Sequence, residues 1–183
     1  MKQLITLEGR NTIHDALLSD KQIKSLVIGE ESAHDVKVQE IIDIARAKHI
    51  PISITASKNI KRRSESGNPQ NILAEMEIEQ LSIEDILESK KEPVFLFFNR
   101  LDYEQNLGAI LRTAWGGGAD AVIVSPNGVH ELTPVVAKVS MGGAANVPLI
   151  SESLFPQLRL LKDKGIPIVG VEEGMGESEF AAE

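Results

Sequence analysis

The chain has 183 residues, a formal net charge of −8 and no cysteine. That length can bury the core of one or two domains, the acidic balance excludes a protein that coats nucleic acid by bulk electrostatics, and the missing thiols exclude disulfides, cysteine nucleophiles and cysteine metal sites. No run of about 18 apolar residues is present to cross a membrane, and the N-terminus lacks the apolar stretch of a secretory signal, so a cytoplasmic protein without a membrane span is expected.

Residues 1–80 read as a small α/β unit. A short helix is predicted over Thr12–Leu18 after the Gly9-Arg10-Asn11 turn, then a strand over Ser25–Ile28. Val38, Ile41, Ile42 and Ala45 form a helical stripe within Val36–Lys48. A strand follows at Ile50–Ile54, where Pro51 points to a sheet edge or a strand start. Ser57–Arg63 reads as a short helix and Asn71–Ile78 as a final strand. This unit carries the only non-acidic stretch: residues 1–70 hold 11 Lys/Arg against 9 Asp/Glu, whereas 71–92 and 93–183 each have a net charge of −5.

Residues 81–93 are acidic and read as an ordered, partly helical linker with Ile83, Ile86 and Leu87 on one face. A second α/β unit follows at 94–183. Val94–Phe98 is a short apolar run ending in Asn99. After a polar loop, Leu107, Ile110, Leu111 and Ala114 recur at helical spacing. Gly116–Gly118 end that helix, and Ala121–Val124 is a second apolar run. Such a strand–helix–strand unit predicts a right-handed parallel crossover. Beyond it come a loop to Thr133, a helix from Pro134, a strand near Pro148, a helix over Leu154–Lys164 and a strand over Ile166–Val171. The three glycines follow a helix rather than a strand, which disfavours a dinucleotide-binding fingerprint.

Asn106 and Arg112 are the odd residues of the first helix in this second unit. Plain structural readings exist for both: Asn106 as an N-cap, Arg112 as a solvated or snorkelling side chain. The whole string Asn106-Leu-Gly-Ala-Ile-Leu-Arg-Thr-Ala114, with its glycine stop and following strand, closely resembles the first motif of the SpoU-type RNA ribose 2'-O-methyltransferases of the SPOUT superfamily. Leu7-Glu-Gly-Arg-Asn-Thr-Ile-His-Asp-Ala-Leu17 resembles the opening of that family's small RNA-binding domain. Thr133–Pro148 and Gly165–Val171 resemble two further landmarks in the family order.

The resemblance implies an α/β protein with a small N-terminal RNA-binding domain and a parallel-sheet SPOUT-type (α/β knot) domain. It implies methyl transfer from S-adenosylmethionine to a ribose 2'-hydroxyl of ribosomal or transfer RNA, and a homodimer. Arg112 then takes the family's catalytic role, with Asn106 orienting it or the substrate. The sequence ends before the two family motifs that complete the knot and hold most of the cofactor, so an incomplete knot and weak cofactor binding are expected. What remains of the cofactor wall is Gly170, Val171 and the Glu172-Glu173-Gly174 loop. The competing class is a non-catalytic RNA-binding module.

Lys58, Lys61, Arg62 and Arg63 form the densest basic cluster, open to two readings: a solvated helix face or a phosphate contact. Arg10 and Asn11 match family residues on the RNA-facing side, or form a turn with Asn11 as cap. The loop from Ser66 to Gln70 approaches RNA in the family, or merely connects. Lys138, Ser140, Gly142 and Gly143 line the substrate side, or cap a helix and let backbones approach closely. His14, His34, His49 and His130 show no metal spacing and read as surface or turn residues.

Overall fold

The protein is described from a computed structural model that covers residues 2–19, 21–64 and 69–171. Among the described residues two sheets form, of four and three strands. The first has the order β1-β4-β2-β3. β1 (Lys2–Glu8) runs antiparallel to β4 (Ile72–Glu79), which runs antiparallel to β2 (Gln22–Gly29). β3 (Ile52–Thr55) adds a parallel edge to β2 directly after Pro51, where a missing backbone donor costs nothing in the ladder. The helices are α1 (Arg10–Leu18), α2 (Val36–Ala47) and α3 (Ser57–Arg63). Asp35 caps α2 by accepting from the Lys37 and Val38 N–H groups, and Val38, Ile41, Ile42 and Ala45 are its buried face, the stripe expected from their spacing.

The second sheet is parallel, in the order β5-β6-β7. β5 (Phe95–Phe98) leads through α5 (Glu104–Gly116) to β6 (Ala121–Val124). α6 (Pro134–Val139) and α7 (Gly143–Asn146) precede β7 (Leu149–Ser151), and α8 (Leu154–Asp163) follows it. β6 is buried along its whole length, as the middle strand of a covered parallel sheet must be. Val122 and Val124 face one core, while Ala121 and Ile123 face another. The second core includes Ile83 and Ile86 of α4 (Ile83–Ser89) and Leu161 of α8. The acidic linker is therefore a structural layer: a Ser82–Asp85 capping box starts α4, and its apolar face covers the sheet. Truncating Ile123 to alanine would open a cavity costing about 2–5 kcal/mol.

The first core runs without interruption from Ile5, Leu7 and Leu17 of the first sheet's layer to Leu107, Leu111 and Val136 of the second's. α6 packs on β1. The two sheets thus share apolar contact as well as a covalent connection.

Two elements differ from expectation. β1 is a full strand that sequence reading passed over. Its alternation is blurred, because Leu4 is exposed while Glu8 is buried, and its partners lie 65 to 77 residues away. Conversely, Ile166–Val171 forms no strand. Ile166 and Ile168 face the second core while Pro167 and Val169 face out. The segment keeps the burial pattern of a strand, but no described neighbour supplies it a ladder. Among the described residues no helix is long and apolar enough to cross a membrane, and no cluster of three His, Asp or Glu side chains could hold a metal.

Candidate functional site

α5 carries both leading candidates. It starts two residues before Asn106, at Glu104, with Tyr103 as N-cap and no side-chain cap bond. Asn106 is therefore not the cap; it is exposed in the first turn, its N–H bonded to the Tyr103 carbonyl at 3.1 Å. The helix start is tied down by its neighbour instead: Thr133 Oγ1 donates to Glu104 Oε1 at 2.6 Å while capping α6. Arg112 is also exposed and makes no hydrogen bond or ion pair among the described residues. The two acidic residues nearest the start of α5 are occupied elsewhere: Asp102 accepts from Arg100 Nε at 2.8 Å, and Glu104 from Thr133.

Asn106 and Arg112 are not brought together. Six residues of helix separate them by about 9 Å along the axis and about 120° around it. Arg112 shares its flank with Gly108 and Trp115, against α6 and α7. This flank is built on glycine. A Cβ on Gly108 would lie 2.6 Å from Val139 Cβ, and one on Gly143 would lie 2.4 Å from the Leu111 carbonyl oxygen and 2.8 Å from the Arg112 nitrogen. All three distances are shorter than real Cβ contacts, so the α5–α6–α7 packing requires glycine at each position. Gly143 thus serves close backbone approach. The turn before α7 passes through two left-handed residues, Met141 at φ 47° and Gly142 at φ 102°. Ser140 is fully buried, donates to the Ala137 carbonyl and accepts from the Ala144 N–H at 3.0 Å, which starts α7. The backbone under Arg112 is therefore closely packed while its side chain is exposed. Lys138 lies on α6, partly exposed.

The N-terminal candidates divide. α1 begins at Arg10 with Gly9 as its N-cap at φ 93°, so Asn11 lies inside the helix and caps nothing. Arg10 and Lys61 line one cleft of about 470 Å³ with Ser57, Ser64, Gln70 and Asn71. Arg10 Nη1 lies 2.5 Å from Asp35 Oδ2, and its N–H donates to Gln70 Oε1 at 3.0 Å. The side-chain hydrogen bond from Arg10 outweighs the effect of desolvation and holds the Asp35 carboxyl below its ordinary range. Gln70 and Asn71 are both left-handed, and Asn71 Nδ2 donates to Ser57 Oγ at 2.7 Å. Lys58, Lys61, Arg62 and Arg63 are all exposed on α3, but Arg63 is directed to Glu75 Oε1 at 3.1 Å. The cluster is thus three cations without a described partner and one that is paired. Residues 66–68 of the following loop lie outside the described residues.

Gly170 has no atom within 4 Å of a built Cβ, and Val171 is 92% exposed. Glu172 and the Glu173-Gly174 loop, the rest of the expected cofactor wall, lie outside the described residues. His14 departs from the surface reading. Its side chain is 15% exposed between α1 and α2, with Nε2 3.3 Å from Glu40. His34 and His49 are exposed in turns, and His130 lies 2.7 Å from the Gly128 carbonyl. Sequence reading missed Trp115 and the tie from Thr133 to Glu104. Gly108 had a signal, since glycine inside a helix is costly unless something approaches closely.

The profile described as RNA 2'-O ribose methyltransferase substrate binding matches residues 6–81, and that of the SpoU rRNA methylase family matches residues 93–182. The chain is 31% identical over 178 residues to the 23S rRNA (guanosine-2'-O-)-methyltransferase RlmB of Pseudomonas putida, covering 93% of this chain and 71% of that protein. It is 31% identical over 164 residues to the RlmB of Neisseria meningitidis, covering 87% and 65%. Among solved structures, the SpoU methyltransferase AviRb of Streptomyces viridochromogenes in complex with AdoMet superposes with a TM-score of 0.70 at 16% identity, covering 88% of this chain and 60% of that one. An rRNA methyltransferase of Sinorhizobium meliloti gives 0.65 at 22% identity, covering 87% and 58%. The chain spans about three fifths of the length of these solved structures. The expected fold is thereby matched, and the chain belongs to the SpoU family of RNA 2'-O ribose methyltransferases.

Proposed function

We propose that this protein acts in methyl transfer from S-adenosylmethionine to a ribose 2'-hydroxyl of ribosomal or transfer RNA. Residues 1–80 bind the RNA, 81–93 connect, and 94–183 belong to the methyltransferase domain. The observation that carries the reading is Arg112: an exposed guanidinium without a described partner, on a backbone immobilised by Gly108 and Gly143. An arginine is too basic to serve as an ordinary proton acceptor. Its fork instead engages a substrate phosphate and the 2'-oxygen together. The positive charge favours the ionised hydroxyl and so eases loss of its proton. Asn106, on the other flank of α5, contacts a different part of the RNA rather than the arginine itself. Arg10, Asn11, Lys58, Lys61, Arg62 and Arg63 supply phosphate contacts, with Arg10 and Arg63 the weaker cations because Asp35 and Glu75 compete for them. A cytoplasmic homodimer completes the reading.

A second reading is RNA binding without methyl transfer, for which residues 6–81, matched by the substrate-binding profile, would suffice. Methyl transfer from radiolabelled S-adenosylmethionine to unmodified ribosomal and transfer RNA transcripts separates the two. Incorporation that is blocked by a 2'-O-methyl at the acceptor supports the first. Saturable RNA binding with no incorporation supports the second. Light scattering of the purified chain reads the dimer.

A further inference from the structure

The mechanism above leaves one residue of the Arg112 flank without a task. Trp115 is the only tryptophan of a chain in which aromatic residues make up 4%. It is 49% exposed. A large apolar ring left half in water is costly unless a partner covers it. Trp115 lies one helical turn beyond Arg112, about 4.5 Å along the axis and about 60° around it, so the two side chains leave α5 on the same side.

The surroundings of the ring are specific. Its edge rests on Gly142: a Cβ there would sit 2.9 Å from Trp115 Cζ3 and 3.3 Å from Cη2. The left-handed φ of 102° at Gly142 keeps that position free of a side chain. On the other side is α1 of the RNA-binding unit, whose Ala16 and Asp15 face Trp115 across a crevice of about 100 Å³. The crevice thus joins the two units next to Arg112. Its walls are mainly apolar, and its one acidic side chain, Asp15, repels phosphate. What suits it is an uncharged, flat, apolar surface carried by a polyanion that Arg112 can hold at the phosphate.

We propose that Trp115 is the stacking platform for a nucleobase of the RNA next to the ribose engaged by Arg112. The assignment rests on the RNA-methylating reading above. It makes Trp115 a substrate-binding residue that tolerates any base, because every base presents a π-face, and it makes the crevice between α1 and α5 the place where the RNA strand passes from the binding unit to the reacting unit.

A single tryptophan makes the test direct, since all indole emission reports this position. The native chain is titrated with a short mixed-sequence single-stranded RNA, and separately with an abasic strand of the same backbone charge, while anisotropy of a labelled strand reads binding independently. The expected result is strong quenching by the RNA and little quenching by the abasic strand at equal occupancy. RNA that binds without changing Trp115 emission, or an abasic strand that quenches equally, overturns the stacking role and leaves the RNA-methylating reading standing. Failure of both strands to bind overturns both. Trp115→Phe retains RNA affinity within about twofold, whereas Trp115→Ala loses about tenfold. An Ala variant with native affinity and an unchanged unfolding midpoint also overturns the proposal.

Discussion

The α3 face and the α5 face both present exposed cations, yet they are built in opposite ways. α3 is a seven-residue helix with one buried anchor, Ile60, and four long basic side chains, one of them already paired with Glu75. α5 is a thirteen-residue helix with four buried residues, locked to α6 and α7 where no atom larger than hydrogen fits at Gly108 or Gly143. Phosphate contact tolerates movement, because its strength is summed over several charges and falls slowly with distance. A group that acts at one oxygen must be held within a fraction of an ångström. Under the proposed function, the contrast separates a surface suited to affinity from one suited to geometry.

The sharpest way to break this contrast is Arg112→Ala. We expect methyl transfer to fall by about 10²–10³-fold, the range of one lost electrostatic stabilising donor, with an unchanged unfolding midpoint and unchanged RNA affinity within a few fold. Arg112→Lys restores only part, because an ammonium lacks the planar fork. Near-normal turnover in Arg112→Ala would return the residue to the helix surface. Next in size is Gly143→Ala, whose methyl would collide with the Leu111 backbone. Urea denaturation should show a loss of about 3 kcal/mol, the upper end of overpacking. Gly116→Ala is the control on the same helix: nothing lies within 4 Å of its Cβ, and it should gain up to about 1 kcal/mol. If the two variants were equally stable, α5 would not be held by its glycines.

On the α3 side, Lys58→Gln, Lys61→Gln and Arg62→Gln together should weaken RNA binding and flatten its salt dependence by about 0.7 in the log–log slope per lost single-strand contact. The same change at Arg63 should do less. An unaltered slope would remove α3 from the interface. The smallest effect expected is one of pH on the sheet that carries α5. Burial works against ionisation of Asp120, but the Lys90 ammonium and the Val94 N–H outweigh it and hold its carboxyl below the ordinary range. A carboxyl lowered on folding stabilises the fold at neutral pH and loses that contribution as pH falls through its depressed value, below about 4. Asp120→Asn should therefore flatten the acid limb of the stability profile. An identical limb would show that another group governs it.

Most of the architecture was legible because it is written in local periodicity. The α2 stripe and the β5–α5–β6 unit appear within a residue or two of their predicted bounds. The failures share a cause: they depend on partners distant in sequence. β1 needs β4 to be a strand. Ile166–Val171 has the alternating burial of a strand, but alternation reports which side faces a core and not whether a ladder neighbour exists. The cap reading open to Asn11 and Asn106 rests on residue preference, whereas Gly9 and Tyr103 occupy those positions without any side-chain bond. At the site, the chemical identity of Arg112 could be read from its motif. Its separation from Asn106 followed only once the helix start was known. Trp115 was hidden because an aromatic after an apolar stripe looks like more core, and only the shape of Gly142 and α1 leaves it half open.

The register of β1 has a consequence for biosynthesis. Lys2 pairs with Glu79 and Glu8 with Leu73, so the first strand made finds its ladder only after β4 has been made. At translation rates of about 5–20 residues per second, that interval is ~4–15 s, against microseconds for a hairpin between neighbouring strands. During it Ile5 and Leu7, at 3% and 2% exposure in the finished fold, have neither sheet nor α6 to cover them. Within the first sheet β1 thus waits longest for its partner, and during that interval Ile5 and Leu7 are open to chaperone capture or misassociation on the ribosome.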